Sequence, residues 1–216
     1  DVIALVQRKG IESCLRGMAN MCQEYSAFGI DTDGAHTRYV RLPAGALEQG
    51  NLAPLPEGVP WEEASLAEPL SCVINGQRGM RIAPGETVVI YGVGPMGLLH
   101  VMLAAASGGA QIVAVDTNAE RLLKAREAGA TVTVLPEADA VREQVLAMTG
   151  GVGADVVILA TPVPEIVEEA LALLAPFGRL SLFASLIGKR PLVPLDANLV
   201  HRRNLCVTGT TGGTTA

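Results

Sequence analysis

The sequence predicts an α/β protein built on a doubly wound parallel sheet, preceded by a smaller β-containing segment. Three observations carry this. From Glu86 onward, short apolar runs alternate with amphipathic helical patterns at short spacing. The runs are apolar on both faces, as strands of a sheet covered on both sides must be. One run, Val88-Val89-Ile90-Tyr91, opens directly into Gly92-Val93-Gly94-Pro95-Met96-Gly97, a glycine-spaced bend before an apolar helix.

Strands are expected over Thr87–Tyr91, Gln111–Val115, Thr131–Leu135, Asp155–Leu159 and Arg179–Phe183, with Leu205 to Thr210 as a last strand. Helices are expected over Met96–Ser107, Ala119–Ala128, Ala138–Thr149 and Glu165–Leu174. Right-handed crossovers fold these units into one sheet with helices on both faces. Residues 1–65 differ: they are richer in turn residues and lack long helical periodicity. There Asp1 to Val6 and Ala35 to Leu42 read as strands, and Asp31-Thr32-Asp33-Gly34 is a turn signal. Pro54, Pro56 and Pro60 stiffen the connection that follows. Trp61-Glu62-Glu63 starts a helix with its acidic residues at the positive end. A second helix is expected from Ser71 to Arg81, closed by Pro84-Gly85. The chain so divides into a small first part, 1–65, and an α/β domain over 66–216.

The bend gains meaning from its context. Gly92 allows a sharp turn, Gly94 leaves room for a diphosphate against the backbone, and Gly97 lets the helix pack closely on the strand. The helix N-terminus offers unpaired N–H groups and a partial positive charge. The next strand ends on Asp116, whose carboxylate suits ribose hydroxyls and repels a 2′-phosphate, so NAD is expected over NADP. Asp116 could also cap the helix that begins near Asn118. Arg121 reads either as a second ribose contact or as part of a solvated helix face. Thr161-Pro162, Ala184-Ser185 and Gly209-Thr210-Thr211 follow strand ends, and are either cofactor contacts or plain loop.

The 216 residues, 49% hydrophobic, suffice for one large α/β domain and a smaller piece. A net charge of −6, with no basic cluster interleaved with aromatics, argues against nucleic acid or an anionic membrane surface as main partner. No apolar run reaches membrane-spanning length. The chain opens on Asp1 inside an apolar run, without a charged-then-apolar leader, which reads as a start within a longer protein. Cys14, Cys22, Cys72 and Cys206 are scattered, so they are expected to be reduced, and the cytoplasm is the expected compartment. His36, His100 and His201 form no short-spaced ligand pair and read as structural or surface residues. Ser71 and Cys72 have no His or Asp close in sequence to activate them. An uncovered sheet edge predicts a homo-oligomer, a dimer or tetramer, pairing through Leu205 to Thr208.

Pro84 to Gly97, with Ala67-Glu68-Pro69-Leu70-Ser71-Cys72 upstream, resembles the zinc-dependent medium-chain dehydrogenases, nearest their sorbitol (iditol) and threonine dehydrogenase branches. Ser13 to Cys22 is similar to that family's structural-zinc lobe, Gly34 to Val40 to its Gly-Gly-Phe-Ala-Glu-Tyr strand, and His201 to Gly209 to its last sheet strand. The resemblance implies that 1–65 is part of a GroES-like catalytic domain and that 66–216 is a Rossmann domain. It also implies reversible, NAD-dependent oxidation of a small secondary alcohol or polyol to a ketone, with a catalytic zinc in the intact enzyme. Gly92, Val93, Gly94, Met96 and Gly97 would then surround the pyrophosphate, and Asp116 and Arg121 the adenosine ribose. Thr161, Ala184 and Ser185 would line the nicotinamide half, and Glu68 would face the zinc.

The family's first zinc-binding Cys and its His-Glu pair would precede Asp1, so the chain resembles a central fragment, catalytically incomplete alone. Cys14 and Cys22 match the third and fourth positions of the lobe's Cys-x-x-Cys-x-x-Cys-x7-Cys, but Arg8 and Ile11 occupy the first two. No structural zinc is expected from two thiolates beside an Arg. Three alternatives stay open: a zinc-free quinone oxidoreductase-like reductase using NADPH, against which Asp116 and Glu68 argue; a non-catalytic NAD-binding module; and a purely structural oligomer-forming domain.

Overall fold

The computed structural model describes residues 17–22, 25–48, 50–137, 140–188 and 192–213. The expected strand Asp1 to Val6, and Arg8, Ile11 and Cys14, lie outside the described residues. The chain divides into two compact units, one of residues 1–75 with 211–216, the other of 76–210.

The second unit is a six-stranded, all-parallel sheet. In chain order its elements are β1 (Thr87–Tyr91), α4 (Pro95–Ala106), β2 (Gln111–Val115), α5 (Ala119–Glu127), β3 (Val132–Val134), α6 (Ala140–Met148), β4 (Ala154–Leu159), α7 (Ile166–Leu173), β5 (Leu174–Leu182), α8 (Ala197–Arg203) and β6 (Cys206–Gly209). The strand order is β3-β2-β1-β4-β5-β6, with every neighbouring pair parallel. This is the doubly wound Rossmann arrangement. Its order reverses between β1 and β4, which leaves a crevice at their carboxyl ends.

Strand alternation sorts side chains between two cores. Val88 and Ile90, with Ile112, Ala114, Val156 and Ile158, meet Val101 and Ala104 of α4 and Leu122 and Ala125 of α5. Val89 and Tyr91, with Val113, Val115, Val157 and Leu159, meet Val141 and Val145 of α6 and Val167 and Leu171 of α7. All five residues of β1 are buried, so burial on both faces explains the unbroken apolar run in the sequence. At the opposite, amino ends of the strands, Arg179 donates to Glu86 at 2.6 Å while Asp155 accepts the Thr87 N–H at 2.8 Å.

Among its described residues the first unit holds a 3-10 turn at Ala19–Met21 and three helices: α1 (Ala44–Glu48), α2 (Trp61–Ala64) and the first part of α3 (Ala67–Met80). The strand expected at 35–42 does not form. Residues 36–41 are exposed, Tyr39 by 80%, and among the described residues no neighbouring strand pairs with them. Alternating polarity marks a strand only where a ladder exists to satisfy its backbone. Among the described residues the bridge found there is a single parallel pair, Phe28 with Thr32.

Two further boundaries move and one helix is added. Helix α3 begins at Ala67, not Ser71, because Pro69 falls in its first turn, where a missing N–H costs nothing. Strand β5 begins at Leu174, not Arg179, through a register irregularity and a left-handed residue, Phe177, at φ 63. Helix α8 was not expected. Its signals are caps: Asp196 Oδ1 accepts from the Leu199 N–H, and Asn204 closes the other end in the left-handed region.

Where α3 and α4 face the sheet, a buried polar pair is set among apolar groups. Gln77 Nε2 lies 2.7 Å from the His100 carbonyl oxygen and 3.1 Å from His100 Nδ1. The His100 ring meets Phe183 edge-on at 4.3 Å. Gly76 is fitted against the same ring, since a Cβ there would lie 2.9 Å from Phe183 Cδ2.

Candidate functional site

The carboxyl ends of β1, β2, β4 and β5 are brought side by side because the sheet's hydrogen bonding continues past the strands. Gly92 N–H donates to Val115 O at 2.8 Å, Ala160 N–H to Tyr91 O at 2.9 Å, and Ala184 N–H to Leu159 O at 3.0 Å. This places the Gly92 bend, Asp116, Thr161 and Ala184-Ser185 along one edge, at the switch point.

The glycines of the bend are not interchangeable. Gly92 sits at φ +81, and a Cβ on it would come within 2.8 Å of Thr161 Cβ and 3.0 Å of the Ala160 carbonyl oxygen. Gly97 admits no side chain either: its Cβ would overlap the Gly92 carbonyl oxygen, so the first turn of α4 rests directly on the strand end. Gly94 differs. Its backbone is in an ordinary extended region, φ −66 and ψ −170, and a Cβ there would meet nothing within 4 Å.

That open space lies at the N-terminus of α4. Pro95 opens the helix with no N–H to satisfy, and Leu98 is the first amide to close, onto Gly94 O at 2.9 Å. The earlier amides face the positive end of the helix dipole. A diphosphate fits such a cradle, with donors supplied by backbone and room left by the absent Gly94 side chain.

Asp116 ends β2 and is buried, at 7% exposure. Its Oδ2 accepts the Val93 N–H at 2.9 Å and its Oδ1 the Asn118 N–H at 2.9 Å. Arg121 Nη1 stands 3.6 Å from Oδ2, with its side chain half-exposed. Asn118 itself caps α5 by accepting from the N–H groups of Glu120 and Arg121. Asp116 therefore orders the residue before the helix rather than capping it directly. Val93 turns its side chain into the core and its N–H to Asp116. Only its carbonyl is left for a ligand. Sequence reasoning missed the Val93–Asp116 bond because it joins residues 23 apart and one partner is backbone.

Glu68 belongs to the first unit. Its Oε1 accepts from the Cys72 thiol at 3.0 Å, one helical turn on. Burial, reinforced by that bond and by the Glu68 charge, pushes the Cys72 thiol up to about 12. Burial first, then Glu68, also raises the Tyr25 phenol. With no metal bound, burial and Glu68 favour the neutral Cys72 thiol near pH 7. Among the described residues no group of three His, Cys, Asp or Glu could hold a metal ion. Glu68 with a protonated Cys72 does not fit the three protein ligands of a catalytic zinc. Cys22 is buried and unpaired by disulfide.

The histidines take separate places: His100 fully buried, His201 exposed on α8, and His36 in the irregular stretch after Gly34. Burial alone lowers His100 to about 4.

The profile of the zinc-binding dehydrogenases matches residues 95–216. This chain belongs to that family. An L-threonine 3-dehydrogenase of Pyrococcus furiosus is 34% identical over 201 residues, covering 93% of this chain and 55% of that protein. The solved structure of an alcohol dehydrogenase of Escherichia coli CFT073, complexed with NADH, matches with TM-score 0.88 at 25% identity, over 99% of this chain and 61% of that one. A zinc-binding dehydrogenase of Sinorhizobium meliloti 1021, bound to NADP, matches with TM-score 0.89 at 28% identity, over 98% and 61%. The chain thus spans little more than half the length of the zinc-binding dehydrogenases it resembles. Among the described residues no helix is long and apolar enough to cross a membrane.

Proposed function

We propose that this chain carries the coenzyme-binding part of an NAD-dependent dehydrogenase that oxidises a small secondary alcohol or polyol to its ketone. The observation that carries the reading is the pairing of the open Gly94 cradle with a buried carboxylate, Asp116, at the end of β2. The amides around Gly94, Met96 and Gly97 hold the diphosphate, with Gly92 and Val93 shaping the turn. Asp116 and Arg121 hold the adenosine ribose, and the Asp116 charge disfavours a 2′-phosphate. Thr161, Ala184 and Ser185 line the nicotinamide half.

Bound NAD supplies the hydride acceptor; the residues of this chain bind it, fix its orientation over the strand ends and exclude water from the buried side of the sheet. The family implies a zinc as well, whose shell the described residues do not form by themselves. Glu68 is kept as the residue of this chain that a metal in the whole protein would meet. In this reading residues 1–65 contribute to a GroES-like catalytic domain, and the α/β domain of 66–216 binds the coenzyme.

The partners are a small alcohol substrate and further copies of the chain, not nucleic acid or membrane, given the net charge of −6. Strand β6 is the open edge through which copies pair as a dimer or tetramer, in the cytoplasm. Sedimentation at micromolar concentration tests the assembly, with a monomer counting against it.

Calorimetric titration with NAD and NADP tests the coenzyme reading. Binding of NAD at least tenfold tighter than NADP is expected; absence of NAD binding overturns it. Oxidation of a panel of secondary alcohols and polyols by the whole protein of which this chain is part, followed at the nicotinamide absorbance, tests the chemistry, and turnover of none of them counts against it.

A further inference from the structure

Asp116 joins two parts of the site, the glycine bend and the segment before α5. Its side chain is 5% exposed, and each carboxylate oxygen already has a backbone partner. Oδ1 accepts from Asn118, just before α5. Oδ2 accepts from Val93, the central residue of the bend between Gly92 and Gly94. Gly92 at φ +81 is what directs the Val93 N–H away from the α4 cradle and back toward β2. The bend is also tied at its start by the Gly92 N–H, which donates to Val115 O at 2.8 Å, and by the buried Val93 side chain.

We propose that Asp116 is a positioning residue for the glycine bend, and that through Oδ2 it couples ribose selection to diphosphate binding. This rests on the coenzyme reading above. A bend with two glycines has many conformations to lose on binding. The Val93–Asp116 bond removes that freedom before the coenzyme arrives, so the cradle is preorganised. The carboxylate is needed even by a ligand that makes no use of it. Its removal therefore weakens coenzymes of both kinds, over and above any change in the preference between them.

The test compares NAD with its analogue lacking the adenosine 2′-hydroxyl, on the wild-type protein and on Asp116→Ala, which removes both acceptors, whereas an amide at 116 would keep one and could leave Val93 paired. The expected result is that Asp116→Ala weakens the 2′-deoxy analogue by about five- to tenfold, the scale of one net hydrogen bond. If the analogue binds both proteins equally while NAD alone is weakened, Asp116 acts only on the ribose and the inference fails. If the wild-type protein binds neither ligand, the coenzyme reading itself fails and this inference with it.

A second measurement needs no variant. In the wild-type protein, free of coenzyme, the Val93 amide exchanges with solvent at least tenfold more slowly than that of Gly94. Equal exchange of the two overturns the proposal.

Discussion

The Gln77 carboxamide straddles His100, one nitrogen reaching both the carbonyl oxygen, at 2.7 Å, and ring Nδ1, at 3.1 Å. One amide hydrogen goes to each acceptor. The ring is therefore held neutral, with its proton on Nε2. That atom is buried and has no partner among the described residues.

This arrangement sets an acid limit on stability. Burial holds folded His100 at about 4, against 6.5 for the ordinary side chain. Between these values the unfolded chain binds the proton and the folded one does not. The stabilisation is complete above pH 6.5 and is lost as pH falls toward 4, by an amount on the order of 3 kcal/mol. Thermal melts between pH 7 and 4 should show the decline, and His100→Phe should flatten it. That variant should also lower the melting temperature at pH 7, because Gln77 loses an acceptor.

Gly94→Ala and Gly97→Ala should separate binding from folding. An added methyl at 94 meets nothing within 4 Å, whereas at 97 it overlaps the Gly92 carbonyl oxygen. Gly94→Ala should leave stability within about 0.5 kcal/mol yet weaken NAD by tenfold or more. Gly97→Ala should cost about 1–3 kcal/mol of stability as well. Urea denaturation and coenzyme titration on both variants check this.

Phe177 is held at φ 63 with 74% of its surface exposed. A left-handed conformation is unfavourable for a residue with a Cβ. Phe177→Gly should raise stability by about 0.5–1 kcal/mol, read from the urea midpoint at constant slope.

The thiols should react in a set order. Cys206 is exposed, whereas Cys72 is half-buried beneath the Glu68 carboxylate and raised to about 12. Iodoacetamide at pH 8 should modify Cys72 slowly, and Cys206 quickly only while the β6 edge is unpaired. Glu68→Ala should speed Cys72, and mass mapping of the alkylated peptides gives the order.

The strands of the second unit were legible because burial on both faces leaves a short, unbroken apolar run between turn residues. Val88 to Tyr91 is such a run. The bend after it was legible because Gly92 and Gly97 answer steric demands that leave a fixed spacing. The stretch 35–42 misled because side-chain alternation is local, while a strand requires a neighbour. Helix α8 was overlooked because its evidence lies in Asp196 and Asn204, at its ends, not in a long apolar period. The Val93–Asp116 and Gln77–His100 bonds were beyond reach, since each joins distant positions partly through main-chain atoms that all sequences share.

The close fit of Gly76 against Phe183 and His100 has an evolutionary corollary. A Cβ at 76 would stand 2.9 Å from Phe183 and 3.4 Å from His100, and the imidazole in turn fixes Gln77. These positions cannot drift one at a time. Substitutions tolerated at 183 will depend on what stands at 76 and 100, so a combinatorial library at the three sites should show strong epistasis, with viable sequences arriving as matched sets.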